Sequence, residues 1–155
     1  MYNKTIVLVT GGFDPIHGGH IDYFNAARQL GDILIVGINS DSWLERKKGQ
    51  YFMPITERVQ IIENLKMVDN CILFNDDDNC AIEAIKNVKN LYPNCKIIFA
   101  NGGDRKPDGD PVPEVELCNR LGITLTYNIG DGGKIQSSSW LLKDYLKKVS
   151  EAKEG

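Results

Sequence analysis

The sequence lacks any long run of hydrophobic residues. Its first apolar stretch, Ile6 to Val9, stops at two glycines, and a run this short is neither a membrane span nor the core of a secretion signal. We therefore expect a cytoplasmic protein with no membrane partner. An excess of positive charge is also missing, since 18 lysines and arginines face 21 aspartates and glutamates. Nucleic acid is not an expected partner without such a field, and a phosphorylated ligand needs a local basic site.

Paired cysteines and the common nucleotide-binding fingerprints are absent as well. The four cysteines are far apart in the chain and form no CxxC pair, which argues against a zinc knuckle, a redox motif or a dense disulfide framework. We expect buried or half-buried free thiols. Neither a Walker loop nor a GxGxxG motif occurs, so the sequence does not favour P-loop or dinucleotide-binding chemistry.

Short apolar segments rich in β-branched residues alternate with segments of helical periodicity. The predicted strands span residues 6–9, 33–38, 71–74, 96–100 and 123–127. The predicted helices span residues 20–30, 54–68 (with Thr56 as a possible N-cap), 81–91, 114–121 and 140–149. This alternation predicts an α/β fold in one domain over residues 1–155, a Rossmann-like parallel sheet of about five strands with helices on both faces. Ligands of such sheets bind at the carboxyl ends of the strands.

Two later segments have less regular patterns. Residues 105–113 contain three prolines and several charges, so they are predicted to form an exposed loop, which could also act as a lid. The last predicted helix follows three serines, and its Trp140 is expected to pack in the core.

The only two histidines of the chain, His17 and His20, lie where the first predicted strand passes into the first predicted helix, within the segment GFDPIHGGH at 12–20. The amides and positive dipole end of a helix amino terminus hold phosphate, and glycines let it approach the backbone. Two imidazoles add hydrogen-bond donors, and charge when protonated, where negative charge grows on phosphorus. A metal site is one alternative, although no HExxH motif or clustered cysteines supply further ligands. The other alternative is that the two histidines have no chemical role.

The HxGH pattern at 17–20, after GxFD at 11–14, resembles the signature of the cytidylyltransferase-like nucleotidyltransferase superfamily. The resemblance covers essentially the whole chain, since further short segments follow in the family's order: LGD at 30–32, LIV at 34–36, NSD at 39–41, KKG at 47–49, ER at 57–58, VD at 68–69, GGD at 102–104 and SSS at 137–139. Two branches are similar, the enzymes that adenylylate heptose 1-phosphate and the glycerol-3-phosphate cytidylyltransferases. Segments 39–41, 74–78 and 102–104 are slightly closer to the heptose branch.

The resemblance implies a role for each matching residue. His17 and His20 stabilise the α-phosphate in the transition state, and one of Lys47 and Lys48 bridges the acceptor phosphate and the triphosphate. Acceptor binding is implied for Asp14 and Arg58, where the arginine either contacts the acceptor phosphate or orients this region. Nucleotide binding is implied for Gly12, Phe13, Gly102, Gly103, Asp104, Ser137, Ser138 and Ser139.

Each of these residues also has a plainer interpretation. The lysines could be solvated surface charges, and Arg58 could pair within its helix with Glu57 or Glu63. The glycines at 102 and 103 could form a simple turn, and one serine of 137–139 could cap the following helix.

The reaction implied by the resemblance is transfer of a nucleoside monophosphate from a nucleoside triphosphate to a sugar or polyol phosphate, with release of pyrophosphate. Mg²⁺ is expected to bind together with the triphosphate and not at a dedicated metal site of the protein. The resemblance also implies a homo-oligomer. The alternative of another class is a catalytically inactive nucleotide-binding regulatory protein. Two features depart from the family: only Lys134 offers charge where the glycerol-phosphate branch has an arginine, and the 105–113 loop has no obvious counterpart.

Overall fold

The computed structural model describes residues 4–102, 112–130 and 138–154. The described residues form one parallel sheet in the order β3-β2-β1-β4-β5. Its strands are β1 (Thr5–Gly11), β2 (Ile33–Ile38), β3 (Asn70–Leu73), β4 (Lys96–Ala100) and β5 (Thr124–Thr126). This arrangement confirms the predicted α/β, Rossmann-like fold.

Helices cover both faces of the sheet, as predicted. They are α1 (Gly18–Arg28), α2 (Asp41–Lys48), α3 (Ile55–Glu63), α4 (Ile82–Leu91), α5 (Val112–Leu121) and α6 (Ser138–Glu154). Because side chains alternate along a strand, Val7 and Val9 of β1 pack with α1 and α3 on one face, while Ile6 and Leu8 pack with α4 and α5 on the other. Each such fully buried side chain contributes about 1.5–3 kcal/mol.

The structure corrects three helix predictions. Helix α2 was not predicted; it begins after Ser40, whose Oγ accepts the main-chain N–H of Trp43 at 3.1 Å. The helix predicted over 54–68 ends at Glu63, and its N-cap is Pro54 rather than Thr56. The helix α5 begins at Val112, inside the segment predicted to be a loop, and the rest of that segment lies outside the described residues.

The carboxyl-terminal helix differs from its prediction in length and in packing. It begins at Ser138 and continues to Glu154. Trp140 is 53% exposed, so its expected place in the core was wrong. Across the described residues, none of the helices combines the length and the apolar character that crossing a membrane requires.

Candidate active site

The loop between β1 and α1 is shaped by a residue in an unusual conformation. Phe13 has a φ of +53°, in the left-handed region that L-residues seldom adopt. Its buried ring compensates by packing edge-on against His20 and Phe24, with ring centroids 5.1 and 5.0 Å away. Close packing also fixes Gly12, because a Cβ there would lie 2.8 Å from Cδ2 of Leu44 in α2. Loop and helix α2 are therefore in direct contact.

His17 and His20 form a reciprocal cap at the start of α1. Nδ1 of His17 accepts the N–H of Gly19 at 3.0 Å, and Nδ1 of His20 accepts the N–H of His17 at 3.2 Å. The two rings stack with centroids 3.9 Å apart. A nitrogen that accepts an N–H carries no proton, so each neutral ring has its proton on Nε2. Both histidines are thus hydrogen-bond donors through Nε2 without needing a positive charge.

The electrostatic setting of this helix end suits an anion. No acidic residue lies in the first turn of α1, and the amino-terminal end of a helix carries a partial positive charge. Donors and dipole together favour negative charge next to the two imidazoles.

Asp14 is almost fully buried and ties the loop to a second segment, residues 49–53. Its Oδ2 accepts the N–H of Phe52 and its Oδ1 accepts the N–H of Met53, both at 2.6 Å. Both carboxylate oxygens are therefore engaged with the main chain. This arrangement supports a structural tie and does not favour the direct acceptor contact that the resemblance implied.

Arg58 is fully buried, and each of its three side-chain nitrogens bonds with the chain. Nε donates to the carbonyl of Met53 at 2.9 Å, and Nη1 donates to the carbonyls of Gly12 at 2.9 Å and Asn39 at 2.7 Å. Nη2 pairs with Asp41 at 2.6 Å. The guanidinium thus joins the β1–α1 loop, the end of β2 and segment 49–53, which corresponds to the orienting role rather than to phosphate contact.

The pairing of Arg58 also corrects an alternative considered for it. Glu57 and Glu63 are close in sequence, but the ion pair forms with Asp41, at the start of α2. Asp41 is partly exposed, so the pair is only partly buried, but removal of Asp41 would leave the fully buried guanidinium without its counter-charge.

The two neighbouring lysines at the end of α2 point to different partners. Nζ of Lys48 donates to the main-chain carbonyl of Asp14 at 3.1 Å, which brings its charge to the histidine loop. Nζ of Lys47 lies over the Trp43 ring, 4.6 Å from the centroid. Partial burial lowers the pKa of Lys48; the charge of Asp14 opposes this effect, and the charges of Lys47 and Arg58 add to it.

The start of α6 also reaches this loop. Oγ of Ser138 donates to the carbonyl of Pro15 at 2.7 Å, whereas Ser139 is exposed. Ser137 lies outside the described residues. One of the three serines therefore contacts the loop that carries the histidines.

The predicted base and ribose site follows β4. Among the described residues, a Cβ at Gly102 would contact the ring of Tyr23, at 3.8 Å. The hydroxyl of Tyr23 donates to the carbonyl of Ala100, at the end of the same strand. Gly103 and Asp104 lie outside the described residues.

Asp76 is a buried carboxylate whose importance the sequence did not reveal. It accepts the N–H of Ser40 at 2.8 Å, the hydroxyl of Ser40 at 2.7 Å and the side-chain amide of Asn39 at 3.1 Å. Burial alone raises the pKa of Asp76, but these bonds and the charge of Arg46 outweigh burial and hold the pKa below its ordinary value. The sequence signals were the family likeness of segment 74–78 and an aspartate after predicted strand three, but neither assigned a role to Asp76.

Metal-ligand geometry was also considered. Over residues 4–102, 112–130 and 138–154, no group of three histidine, cysteine, aspartate or glutamate side chains could hold a metal ion. The cysteines at 71, 80, 95 and 118 are free thiols, one buried and three half-buried.

Comparisons with known proteins identify the family of this chain. Residues 8–111 match the protein-family model described as Cytidylyltransferase-like. Curated relatives named "Bifunctional protein HldE" include that of Citrifermentans bemidjiense, 37% identical over 108 residues, which are 68% of this chain and 20% of the relative. The relative from Escherichia coli is 30% identical over 154 residues, which are 98% of this chain and 29% of the relative. The chain thus spans about a fifth of the length of the first of these relatives.

Solved structures show a similar fold. The lipopolysaccharide core biosynthesis protein from Thermoplasma volcanium is 31% identical, with a TM-score of 0.63 over 80% of this chain and 95% of that chain. A putative nicotinate-nucleotide adenylyltransferase from Vibrio parahaemolyticus has a TM-score of 0.64 over 94% of this chain and 88% of that chain. The second is only 16% identical, so it bears on the fold alone.

Proposed function

Because the chain belongs to the cytidylyltransferase-like family of nucleotidyltransferases, we propose that it transfers a nucleoside monophosphate from a nucleoside triphosphate to a sugar or polyol phosphate. Pyrophosphate is the second product. The observation that carries the proposal is the reciprocal cap of His17 and His20, which uses Nδ1 of each ring and so sets the proton of each neutral ring on Nε2, at the positive end of α1. Donors fixed in this way stabilise charge that develops on the α-phosphate.

The proposed chemistry is a single in-line displacement. An oxygen of the acceptor phosphate attacks the α-phosphorus, a new P–O bond forms, and the bond to the bridging oxygen of pyrophosphate breaks. The protein contributes position and charge, so no covalent intermediate on a side chain is required. His17 and His20 donate to the α-phosphate oxygens as their charge increases.

Lys48, rather than Lys47, is proposed to bridge the acceptor phosphate and the triphosphate. Its hydrogen bond to the carbonyl of Asp14 supports this choice, because it brings the ammonium to the loop that carries the histidines. Lys47 is engaged with Trp43. Asp14 and Arg58 are proposed as positioning residues that hold the loop and segment 49–53. Nucleotide binding by Gly12, Phe13, Gly102, Gly103, Asp104 and Ser137 to Ser139 stays a prediction.

Mg²⁺ is proposed to be held mainly by the phosphates of the nucleotide. The oxygens of the buried carboxylates Asp14 and Asp76 already accept hydrogen bonds from the chain, and triphosphates commonly bind Mg²⁺ with few protein ligands. When bound, the ion would neutralise part of the phosphate charge.

Within the family, we place this chain with the heptose 1-phosphate adenylyltransferases as our first choice. The likenesses at 39–41, 74–78 and 102–104 support ATP and a sugar 1-phosphate, as does the similarity to a lipopolysaccharide core biosynthesis protein. A glycerol-3-phosphate cytidylyltransferase is the second choice. The cytoplasmic location and the homo-oligomeric state stay predictions. Light scattering tests the oligomeric state.

The direct test measures pyrophosphate release with ATP and CTP, each combined with heptose 1-phosphate, other sugar 1-phosphates and glycerol 3-phosphate. His17→Asn is the matched control, because asparagine can still cap α1 but lacks the imidazole. Release with one pair of substrates and its loss in the variant would support the proposal. Nucleotide binding without release across the panel would contradict it and favour a regulatory nucleotide-binding protein.

A further inference from the structure

Two exposed aromatic side chains lie in segment 49–53, beside the proposed catalytic residues. Tyr51 is 37% exposed and Phe52 is 57% exposed. Single apolar side chains on a surface are common, so exposure alone has no functional meaning. The position of this pair, and the fixed main chain at Phe52, are what distinguish it.

The backbone that carries Phe52 is held by buried groups. Asp14 accepts the N–H groups of Phe52 and Met53, and Nε of Arg58 donates to the carbonyl of Met53. Both charged residues are at most 1% exposed. Hydrogen bonds to charged groups are stronger than neutral ones, so Phe52 is fixed next to the β1–α1 loop although it is accessible to solvent.

A cation contacts the same residue, Asp14. Lys48 precedes segment 49–53, and its Nζ donates to the carbonyl of Asp14 at 3.1 Å. Asp14 therefore contacts an ammonium group through its carbonyl and the main chain of Phe52 through its carboxylate. A ligand that satisfies both needs an anionic group for Lys48 and, next to it, an apolar face for the rings.

A cyclic sugar phosphate has this combination, because the C–H bonds on one side of a sugar ring form an apolar face that stacks on aromatic rings. Glycerol 3-phosphate is acyclic and has no such face. We infer that Tyr51 and Phe52 form a stacking platform for the sugar ring of the acceptor, which makes the acceptor a cyclic sugar phosphate. This inference rests on the proposed function, since it assigns the acceptor side of the same site.

The test compares Phe52→Ala and Tyr51→Ala with Phe52→Leu, which keeps apolar volume but removes the ring. Leu91→Ala is the surface control, because Leu91 is 58% exposed at the end of α4. With the sugar 1-phosphate that gives turnover, Phe52→Ala should raise the acceptor KM about fivefold, the equivalent of one aromatic contact. The KM of the nucleotide and kcat should stay unchanged, and Phe52→Leu should recover only part of the loss.

Other outcomes would overturn the inference without touching the proposed function. An active protein whose acceptor KM does not change in either alanine variant has no platform at these residues. A raised nucleotide KM with an unchanged acceptor KM would assign the rings to the base instead. Turnover with glycerol 3-phosphate alone would also contradict it.

Failure of the proposed function has a different signature, which is a wild-type protein that releases no pyrophosphate with any pair of substrates. In that case, calorimetric titration of glucose 1-phosphate into the protein saturated with a non-hydrolysable ATP analogue still tests the platform. Binding weakened about fivefold in Phe52→Ala would support it. No binding to the wild-type protein, or equal binding to both, would overturn it.

Discussion

The imidazole rings of His17 and His20 stack at a centroid distance of 3.9 Å, and each ring caps the helix that carries it. The pair is therefore part of the fold as well as part of the proposed chemistry. A substitution at either position changes both unless the replacement keeps the hydrogen bond to the main chain, so the two contributions can be separated by the choice of side chain.

Replacement of His17 should separate stability from activity. His17→Ala removes the acceptor for the N–H of Gly19 and should lower the free energy of unfolding by about 1 kcal/mol, whereas His17→Asn should lower it by only a few tenths of that amount. Both variants lose the Nε2–H donor, so kcat should fall about 10²–10³-fold in both. Urea denaturation and pyrophosphate release measure the two effects, and full activity in His17→Asn would contradict the assignment.

Replacement of the two lysines should give unequal losses. Lys48→Ala should lower kcat/KM about 10²-fold or more, because it removes a charge from the reaction centre. Lys47→Ala removes only the contact with Trp43, for which we expect a change within about threefold. Steady-state assays of both variants make the comparison. Equal losses would mean that the end of α2 rearranges on binding.

The pH dependence of kcat/KM should reflect the ionisation of Lys48. Burial lowers its pKa in the free protein below the ordinary 10.5, so its positive charge is lost at a lower pH than that of an ordinary lysine. Activity should therefore decline on the alkaline side earlier than an ordinary lysine would predict. The Lys48→Arg variant keeps its positive charge to higher pH, so the decline in its kcat/KM should occur at higher pH. If the decline occurs at the same pH as in the wild type, another group is responsible for it.

Asp76 should make the free energy of unfolding decrease at acidic pH. Since its folded-state pKa lies below the ordinary 3.8, its ionised form stabilises the fold above that pH, and the contribution is lost as the pH falls through the folded-state value. Asp76→Asn should lower the free energy of unfolding by about 1–3 kcal/mol at neutral pH, and the difference from the wild type should shrink below about pH 4. The exposed neighbour Asp77 supplies the control substitution Asp77→Asn, which keeps the bonds of Asp76 to Asn39 and Ser40 and should change the free energy of unfolding at neutral pH by less than about 0.5 kcal/mol.

Cys71 should be an unreactive thiol in the folded protein. Burial, and secondarily the charge of Glu63, raises the pKa of Cys71 to about 11, and the thiolate is the form that reacts. Labelling with iodoacetamide followed by peptide mass spectrometry should show little modification of Cys71 at pH 8 and a marked increase towards pH 11. In denaturant the residue should label readily at pH 8, and fast labelling of the native protein would contradict the prediction.

Much of the sheet could be predicted from sequence, and the reasons for the exceptions are physical. Strands β2 and β4 match their predicted spans because each is a buried apolar run between polar residues. Helix α2 was missed because it buries only Leu44 and so has no apolar periodicity. Helix α3 was predicted too long because Leu65 and Val68, beyond its end, still pack in the core at helix-like spacing.

The site was less predictable because its bonds join residues that are distant in sequence. The sequence drew attention to His17, His20, the lysine pair and Arg58. Local spacing offered Glu57 or Glu63 as an alternative partner for Arg58, whereas its partner is Asp41. The choice between Lys47 and Lys48 depends on how α2 ends against the β1–α1 loop. Asp76 acts through Asn39 and Ser40, a tertiary relationship that no short motif reveals.

The bond between Ser138 and Pro15 joins a late part of the chain to an early one. A ribosome makes the histidine loop first and the serine more than a hundred residues later, after all five strands have been made. A nascent polypeptide that stops short of residue 138 therefore lacks this support for the loop, even if its sheet has formed. Translation through the start of α6 is thus needed before the histidine loop has all the bonds that it makes in the folded chain.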